Sequence, residues 1–275
     1  MSVRNERTTI GLFDGDQLRQ HWRVSTDERR TADEWGLLIS GLIESHGQNE
    51  DTEQDDGHTK GEQRTATMHG EADGVVGLCI SSTVPVVLHE LRSMTLNFFP
   101  DAHTVVVGPG VRTGLPVRMD NPREVGTDRV ANAVAAAARW GGPVIVVDLG
   151  TAIVFEVVNT AGQYVGGVIS PGVDISVAAL RERGAQLRQV EIEQPRTVVA
   201  KNTIEALQSG AVHGFAGLVD GVVARIIDEL DEGAPVVVAT GALDSAVIEA
   251  CSTITDREPY LTLYGLQMIY ERNTR

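Results

Sequence analysis

The sequence predicts an α/β protein of two halves, each a mixed sheet flanked by helices. Three observations carry that expectation. Hydrophobic residues make up 42% of the chain and aromatics only 4%, so the core must be mostly Val, Ile, Leu and Ala, which suits sheets covered by helices. Short β-branched runs alternate with helix-periodic segments along the chain. A hairpin-led group of strands with helices occurs twice, once around Asp14-Gly15 and once around Asn159 to Gly162, which suggests an internal duplication. At 275 residues the chain suits two domains of ordinary size, expected as 1–141 and 142–275.

In order, Thr8 to Phe13 reads as a short strand, and Asp14-Gly15-Asp16 turns it into a second strand from Gln17 to Val24. No apolar run precedes Thr8, so no strand is expected before it. Thr31 to Ile43 has Trp35, Leu38, Ile39 and Leu42 at helical spacing, with Thr31 and Glu34 placed as a capping box. From Ser45 to Gly74 apolar residues almost vanish, and a disordered or looped insertion is expected. Its His46, His58 and His69 are irregularly spaced and make a poor metal set. Gly74 to Ile80 is the next strand, followed by Ser81-Ser82-Thr83, a helix over Val84 to Phe99, and a strand at Val105 to Val107. The glycine-rich loop from Gly108 to Gly114 carries Arg112, and Gly126-Thr127-Asp128-Arg129 leads an alanine-rich helix over Val130 to Trp140. On local grounds Asp128 serves equally as a helix N-cap or as a chemical group.

The second half opens on Pro143 to Thr160, where the apolar run Val144 to Val147 delivers Asp148-Leu149-Gly150-Thr151 and a second run follows from Ala152 to Val158. Such a tetrapeptide can simply close a hairpin. It can also hold an anion and its cation: glycine lets backbone N–H groups approach, Thr adds a hydroxyl, and Asp can take a hard cation. Tyr164 to Ile169 is a strand, Ser170-Pro171-Gly172 begins a helix to about residue 184, and Gln189 to Glu193 reads as a short strand. Asn202 and Glu205 cap a helix from Thr203 to about Asp231, whose Gly210, Gly214, Gly217 and Gly221 form a seam on which another backbone can pack. Val236 to Ala239 is the last core strand, delivering Thr240-Gly241, and Leu263 to Tyr270 is a terminal helix.

A net charge of -15 argues against nucleic acid or an anionic membrane as the main partner. Cys79 and Cys251 lie in apolar segments without metal-ligand spacing and read as buried thiols of a reducing compartment. No apolar run approaches the roughly 20 residues of a membrane span, and the N-terminus has no signal-peptide core, so a cytoplasmic protein is expected.

An ordered set of motifs resembles the type III pantothenate kinases over nearly the whole chain outside the insertion. Its members are Ser81-Ser82-Thr83-Val84-Pro85, Gly108 to Gly114, Asp120-Asn121-Pro122, Glu124 to Arg129, Val147 to Thr151, Gly166-Gly167 with Pro171-Gly172, Lys201-Asn202-Thr203 with Gln208-Ser209-Gly210, and Ala239-Thr240-Gly241. The resemblance implies two ribonuclease-H-like (actin-like ATPase) domains and transfer of the ATP γ-phosphoryl group to the primary hydroxyl of pantothenate, the first step towards coenzyme A. It implies Asp128 as the base that accepts the hydroxyl proton, Gly126, Thr127, Arg129 and Thr203 as further substrate contacts, and Asn5, Thr8, Gly150, Thr151 and Gly241 as nucleotide contacts. It places a monovalent cation, potassium or ammonium, at Asp148, brings Mg2+ with ATP, and makes the protein a homodimer.

The first phosphate loop departs from the family's Asp-x-Gly-Asn-Thr-x-Thr. Aligned on Asn5 and Thr8, the chain has Ser2 for the Asp, Arg4 for the Gly and Glu6 for the first Thr, and Met119 stands where an aromatic often precedes Asp-Asn-Pro. These departures leave open an impaired or inactive relative that binds a ligand or a partner protein.

Overall fold

A computed structural model of the chain describes residues 1–53, 74–183, 190–242 and 246–275. They form two compact units: Met1–Thr113 with Gly126–Asp128 and Leu266–Arg275, and Gly114–Val125 with Arg129–Gly265.

In the first unit the elements are β1 (Ser2–Val3), β2 (Arg7–Asp14), β3 (Gln17–Ser25), α1 (Ala32–Glu53), β4 (Gly77–Ser82), α2 (Pro85–Phe98) and β5 (His103–Val106). The sheet order is β3-β2-β1-β4-β5. β2 is antiparallel to β1 and β3, while β1, β4 and β5 run parallel. The Asp14-Gly15 turn is real, with Asp14 paired to Gln17 and Gly15 at φ +60. The capping box also forms: Glu34 Oε2 accepts from Thr31 N–H at 2.8 Å and Thr31 Oγ1 from Glu34 N–H at 3.4 Å. Trp35 and Ile39 of α1 pack with Val87, Leu91 and Met94 of α2 against Val3, Ile10 and Ile80 of the sheet. Each such fully buried side chain contributes about 1.5–3 kcal/mol relative to exposure.

The second unit takes all but the first two residues of α3 (Thr127–Trp140), with β6 (Val144–Leu149), β7 (Ala152–Val158), β8 (Tyr164–Pro171), α4 (Val173–Arg183), α5 (Thr203–Leu230), β9 (Val236–Gly241), α6 (Ala246–Ala250), β10 (Asp256–Arg257) and the start of α7 (Leu261–Thr274). Its sheet order is β10-β9-β6-β7-β8. β6 is antiparallel to β7 and parallel to β9, so its place matches that of β1 in the first sheet. In both sheets the leading strand is central, with a hairpin on one side and parallel strands on the other. This is the duplicated ribonuclease-H-like plan, two mixed sheets flanked by helices. All six residues of β6 are buried, and Ile145, Val147 and Leu149 share a core with Phe155, Val219, Val223 and Val237.

Five expectations need correction. β1 exists: although only two residues long, it is buried, pairing Ser2 with Thr9 on one side and Ser81 on the other. Two-sided pairing holds a strand whose own sequence is too short to announce it. α1 runs on to Glu53, past the expected loop start at Ser45, and the rest of that insertion, with His58 and His69, lies outside the described residues except for Gly74. Residues 190–193 form no strand, and Gln189 lies outside the described residues. The 28-residue α5 is long and apolar enough by length and composition to cross a membrane, contrary to the reading of the sequence. Its Val212, Ala216, Val219 and Val223 are nevertheless buried in the protein. Finally, the two cysteines are half-buried, and burial pushes the Cys79 thiol up to about 11 and the Cys251 thiol up to about 12, which leaves both inert.

Candidate active site

The sequence-predicted residues of the first unit gather around the end of β1. Asn5, Glu6 and Arg7 are exposed in a turn closed by Arg4 N–H donating to Arg7 O at 3.0 Å. Thr8 points inward, where its hydroxyl meets that of Thr26 at 2.9 Å. Beside this turn α3 begins at Thr127, whose hydroxyl meets that of the buried Ser81 at 2.7 Å. Gly126 precedes the helix, so Asp128 is its second residue rather than its cap. The N-cap reading of Asp128 therefore falls. Its carboxylate instead faces Arg4, with Nε 3.2 Å from Oδ2, and its side chain is 16% exposed.

In the second unit Arg129 lies against β8. Its Nη2 donates to Tyr164 Oη at 2.7 Å, and the guanidinium carbon stands 5.9 Å from the Tyr164 ring centroid. Gly167 makes the room: a Cβ there would meet Phe155 O at 2.1 Å and Arg129 Nη2 at 2.9 Å. Asp148, near the end of β6, is buried, and its Oδ2 accepts from Asn132 Nδ2 at 2.9 Å. The same amide nitrogen donates to Glu156 Oε1 on β7 at 3.3 Å, while Asn132 Oδ1 accepts from Thr262 Oγ1 at 2.6 Å. Because Thr262 donates to the amide oxygen, the NH2 group is turned towards the two carboxylates.

The Gly150-Thr151 turn follows and is exposed, closed by Gly150 N–H donating to Ala152 O at 3.0 Å. It is backed by two glycines that admit no side chain. A Cβ on Gly172 would stand 2.2 Å from Gly150 O, and one on Gly241, at φ +87, would stand 2.2 Å from Leu149 O and 2.7 Å from Asp148 Oδ1. Gly241, Asp148 and the Gly150 turn are thus one close-packed cradle. Thr203 is exposed as the first residue of α5, and Asn202 Oδ1 caps that helix by accepting from Glu205 N–H at 2.9 Å. Glu205 does not complete a capping box. Its carboxylate pairs with Arg196, Nε to Oε1 at 2.6 Å.

The family model for type III pantothenate kinase matches residues 1–225. The chain belongs to the type III pantothenate kinase family. Proteins named type III pantothenate kinase from Streptomyces avermitilis and Thermobifida fusca are 50% and 49% identical to it, covering 99% and 100% of the chain and 97% and 98% of their own lengths. A solved structure from Campylobacter jejuni, described as a Baf family transcriptional activator, covers 99% of the chain at 14% identity with a TM-score of 0.53, which is a likeness of fold alone.

For a type III pantothenate kinase the first loop is the unusual part. Position 2 does not fit a divalent cation: Ser2 is buried, and its Oγ is a neutral hydroxyl without a hydrogen-bond partner. Among the described residues no three His, Cys, Asp or Glu side chains stand together as a metal site. Asp148 with Glu156 fits a cation better, as two buried carboxylates within reach of one amide. Sequence reasoning missed Asn132, Glu156, Tyr164 and Thr262. Only Glu156 left a signal, a carboxylate inside an otherwise apolar strand.

Proposed function

We infer that this chain transfers the γ-phosphoryl group of ATP to the primary hydroxyl of pantothenate, yielding 4'-phosphopantothenate for coenzyme A synthesis. The observation that carries this reading is an intact substrate and cradle set, Asp128 on the first turn of α3 and Asp148 in the Gly150–Gly241 cradle, in a chain half identical to proteins named for that activity. Asp128 accepts the hydroxyl proton as the substrate oxygen bonds to phosphorus, and the bridging P–O bond breaks with its electron pair leaving on ADP. Arg129, fixed by Tyr164, meets substrate oxygens by charge-assisted hydrogen bonds, with Gly126, Thr127 and Thr203 as further contacts. Asn5, Gly150, Thr151 and Gly241 line the nucleotide, which enters with a divalent metal, Mg2+, while Thr8, turned inward onto Thr26, backs the first loop instead of touching the nucleotide. Ser2 supplies no carboxylate for that metal.

Asp148, with Glu156 beside it, would hold a monovalent cation, potassium or ammonium, whose charge offsets the phosphate oxygens. The protein works as a cytoplasmic homodimer without nucleic-acid or membrane partners. Support for the dimer comes from α5, where an added Cβ on Gly210, Gly214 or Gly217 meets nothing within 4 Å, so the seam is open for a second helix.

Coupled ADP release with pantothenate, ATP, magnesium and potassium tests the reading. Turnover that disappears in Asp128→Ala is the expected result; turnover no higher than that of the variant would leave the chain an inactive, ligand-binding relative.

A further inference from the structure

We propose that Arg4 is a positioning residue for phosphoryl transfer, orienting Asp128 and supplying the first loop with a fixed positive charge. The proposal rests on the reading of Asp128 as the base. Its starting point is the Arg4 Nε to Asp128 Oδ2 contact at 3.2 Å, in which the side chains are 31% and 16% exposed. A pair so placed feels more of its attraction than one fully in solvent, where exposed ion pairs contribute little.

Neighbouring bonds set both ends of this pair. On the Arg4 side, Thr83 N–H donates to Val3 O at 3.0 Å and Arg4 N–H to Arg7 O at 3.0 Å, so the backbone is tied to β4 and to its own turn. On the Asp128 side, the hydroxyls of Thr127 and Ser81 meet at 2.7 Å, fixing the first turn of α3 to the end of β4. The guanidinium thus meets a carboxylate whose backbone is already anchored, which is how a base is held in one orientation at low entropic cost.

The neutral, buried Ser2 cannot recruit a metal ion at the foot of this loop, and Glu6 at its tip is exposed and acidic. Arg4 is the cation that the turn itself carries into the pair with Asp128. When Asp128 takes the hydroxyl proton it becomes neutral, its pull on Arg4 falls, and the planar guanidinium can turn its remaining donors to phosphoryl oxygens. Arg4 then does by a side chain what a metal held at position 2 would do.

The full-length chain tests this with Arg4→Ala, Arg4→Lys and Asp128→Asn. Asp128→Asn tests the base reading and also removes the charge that Arg4 faces: a kcat loss of ~100-fold or more is expected, and a wild-type kcat would end that reading whatever Arg4 does. Arg4→Ala is expected to lower kcat ~10–100-fold with the pantothenate KM changed less than ~3-fold. Arg4→Lys should regain part of the loss, and sub-denaturing guanidinium ion should raise kcat of Arg4→Ala without raising that of the wild type. Calorimetric ATP binding without divalent metal should be at least ~5-fold weaker in Arg4→Ala than in the wild type. A wild-type kcat in Arg4→Ala, a loss relieved by neither lysine nor guanidinium, or unchanged metal-free ATP binding would each overturn the proposal.

Discussion

Asn132 Nδ2 donates to Asp148 Oδ2 at 2.9 Å and to Glu156 Oε1 at 3.3 Å, so one amide from α3 joins two carboxylates on neighbouring strands. All three side chains are buried. Two acids in this setting need a donor between them, because desolvated like charges repel with little screening. Asn132→Leu keeps the volume and removes the donor shared by the two carboxylates and the acceptor that meets Thr262. A loss of about 3 kcal/mol is expected, read as a lower urea midpoint at unchanged m-value.

Tyr164 is held as firmly as Arg129 is. Its N–H donates to Pro116 O at 2.9 Å, its carbonyl accepts from Arg118 N–H at 2.8 Å, and its side chain is fully buried, leaving the phenol as an anchor for the guanidinium. Tyr164→Phe removes that anchor and keeps the buried ring. Arg129 then samples more rotamers, and the pantothenate KM should rise ~3–10-fold with kcat within ~2-fold of wild type, the signature of lost ground-state and transition-state binding together.

Asp220 ties α5 to the segment after α6. Its carboxylate accepts from the backbone N–H and hydroxyl groups of both Ser252 and Thr253, at 2.7 to 3.0 Å. Burial pushes this carboxyl up, but the bonds from Ser252 and Thr253 outweigh it and hold it below its usual 3.8. A carboxyl depressed in the folded state stabilises the fold above its unfolded pKa, and loses that contribution as pH falls through the folded value. Asp220→Asn should therefore melt about 2 °C below wild type near neutral pH, a small gap because the group is partly exposed. The gap should persist down to about pH 5 and narrow below 3.8, as thermal melts across pH would show.

Long-range pairing explains most of what the sequence did not show. β6 was legible because Val144 to Val147 is a β-branched run, and α1 began where Thr31 and Glu34 placed it. β1 was not, since Ser2 and Val3 form a strand only through partners five to seven residues away in β2 and some eighty away in β4. Asp128 and Asp148 were found from the motifs around them, whereas Asn132 sits in an alanine-rich helix and shows its role only when β6 and β7 lie beside it. Arg4 read as a departure from a glycine, and its partner Asp128, distant in sequence, emerged from the fold.

Gly241 is where backbone conformation and the cradle meet most tightly. Its φ of +87 is a region that L side chains rarely adopt, and its neighbour's N–H, on Ala242, donates to Leu149 O at 2.8 Å. A methyl group added there would need to stand 2.2 Å from that same carbonyl and 2.7 Å from Asp148 Oδ1. Neither atom is the end of a flexible chain, since Leu149 O belongs to a buried strand and Asp148 is fixed by Asn132. Gly241→Ala must therefore push β9 from β6 at its carboxyl end or displace the Asp148 carboxylate. Both distortions reach the Gly150 turn. ATP affinity and potassium activation should each weaken by ~10-fold or more, with about 2–4 kcal/mol of stability lost, whereas Gly210→Ala, which meets nothing within 4 Å, should leave ATP binding unchanged. Calorimetric titration of ATP into the two variants checks the contrast, and equal affinities would show that the cradle at Gly241 is not where the nucleotide binds.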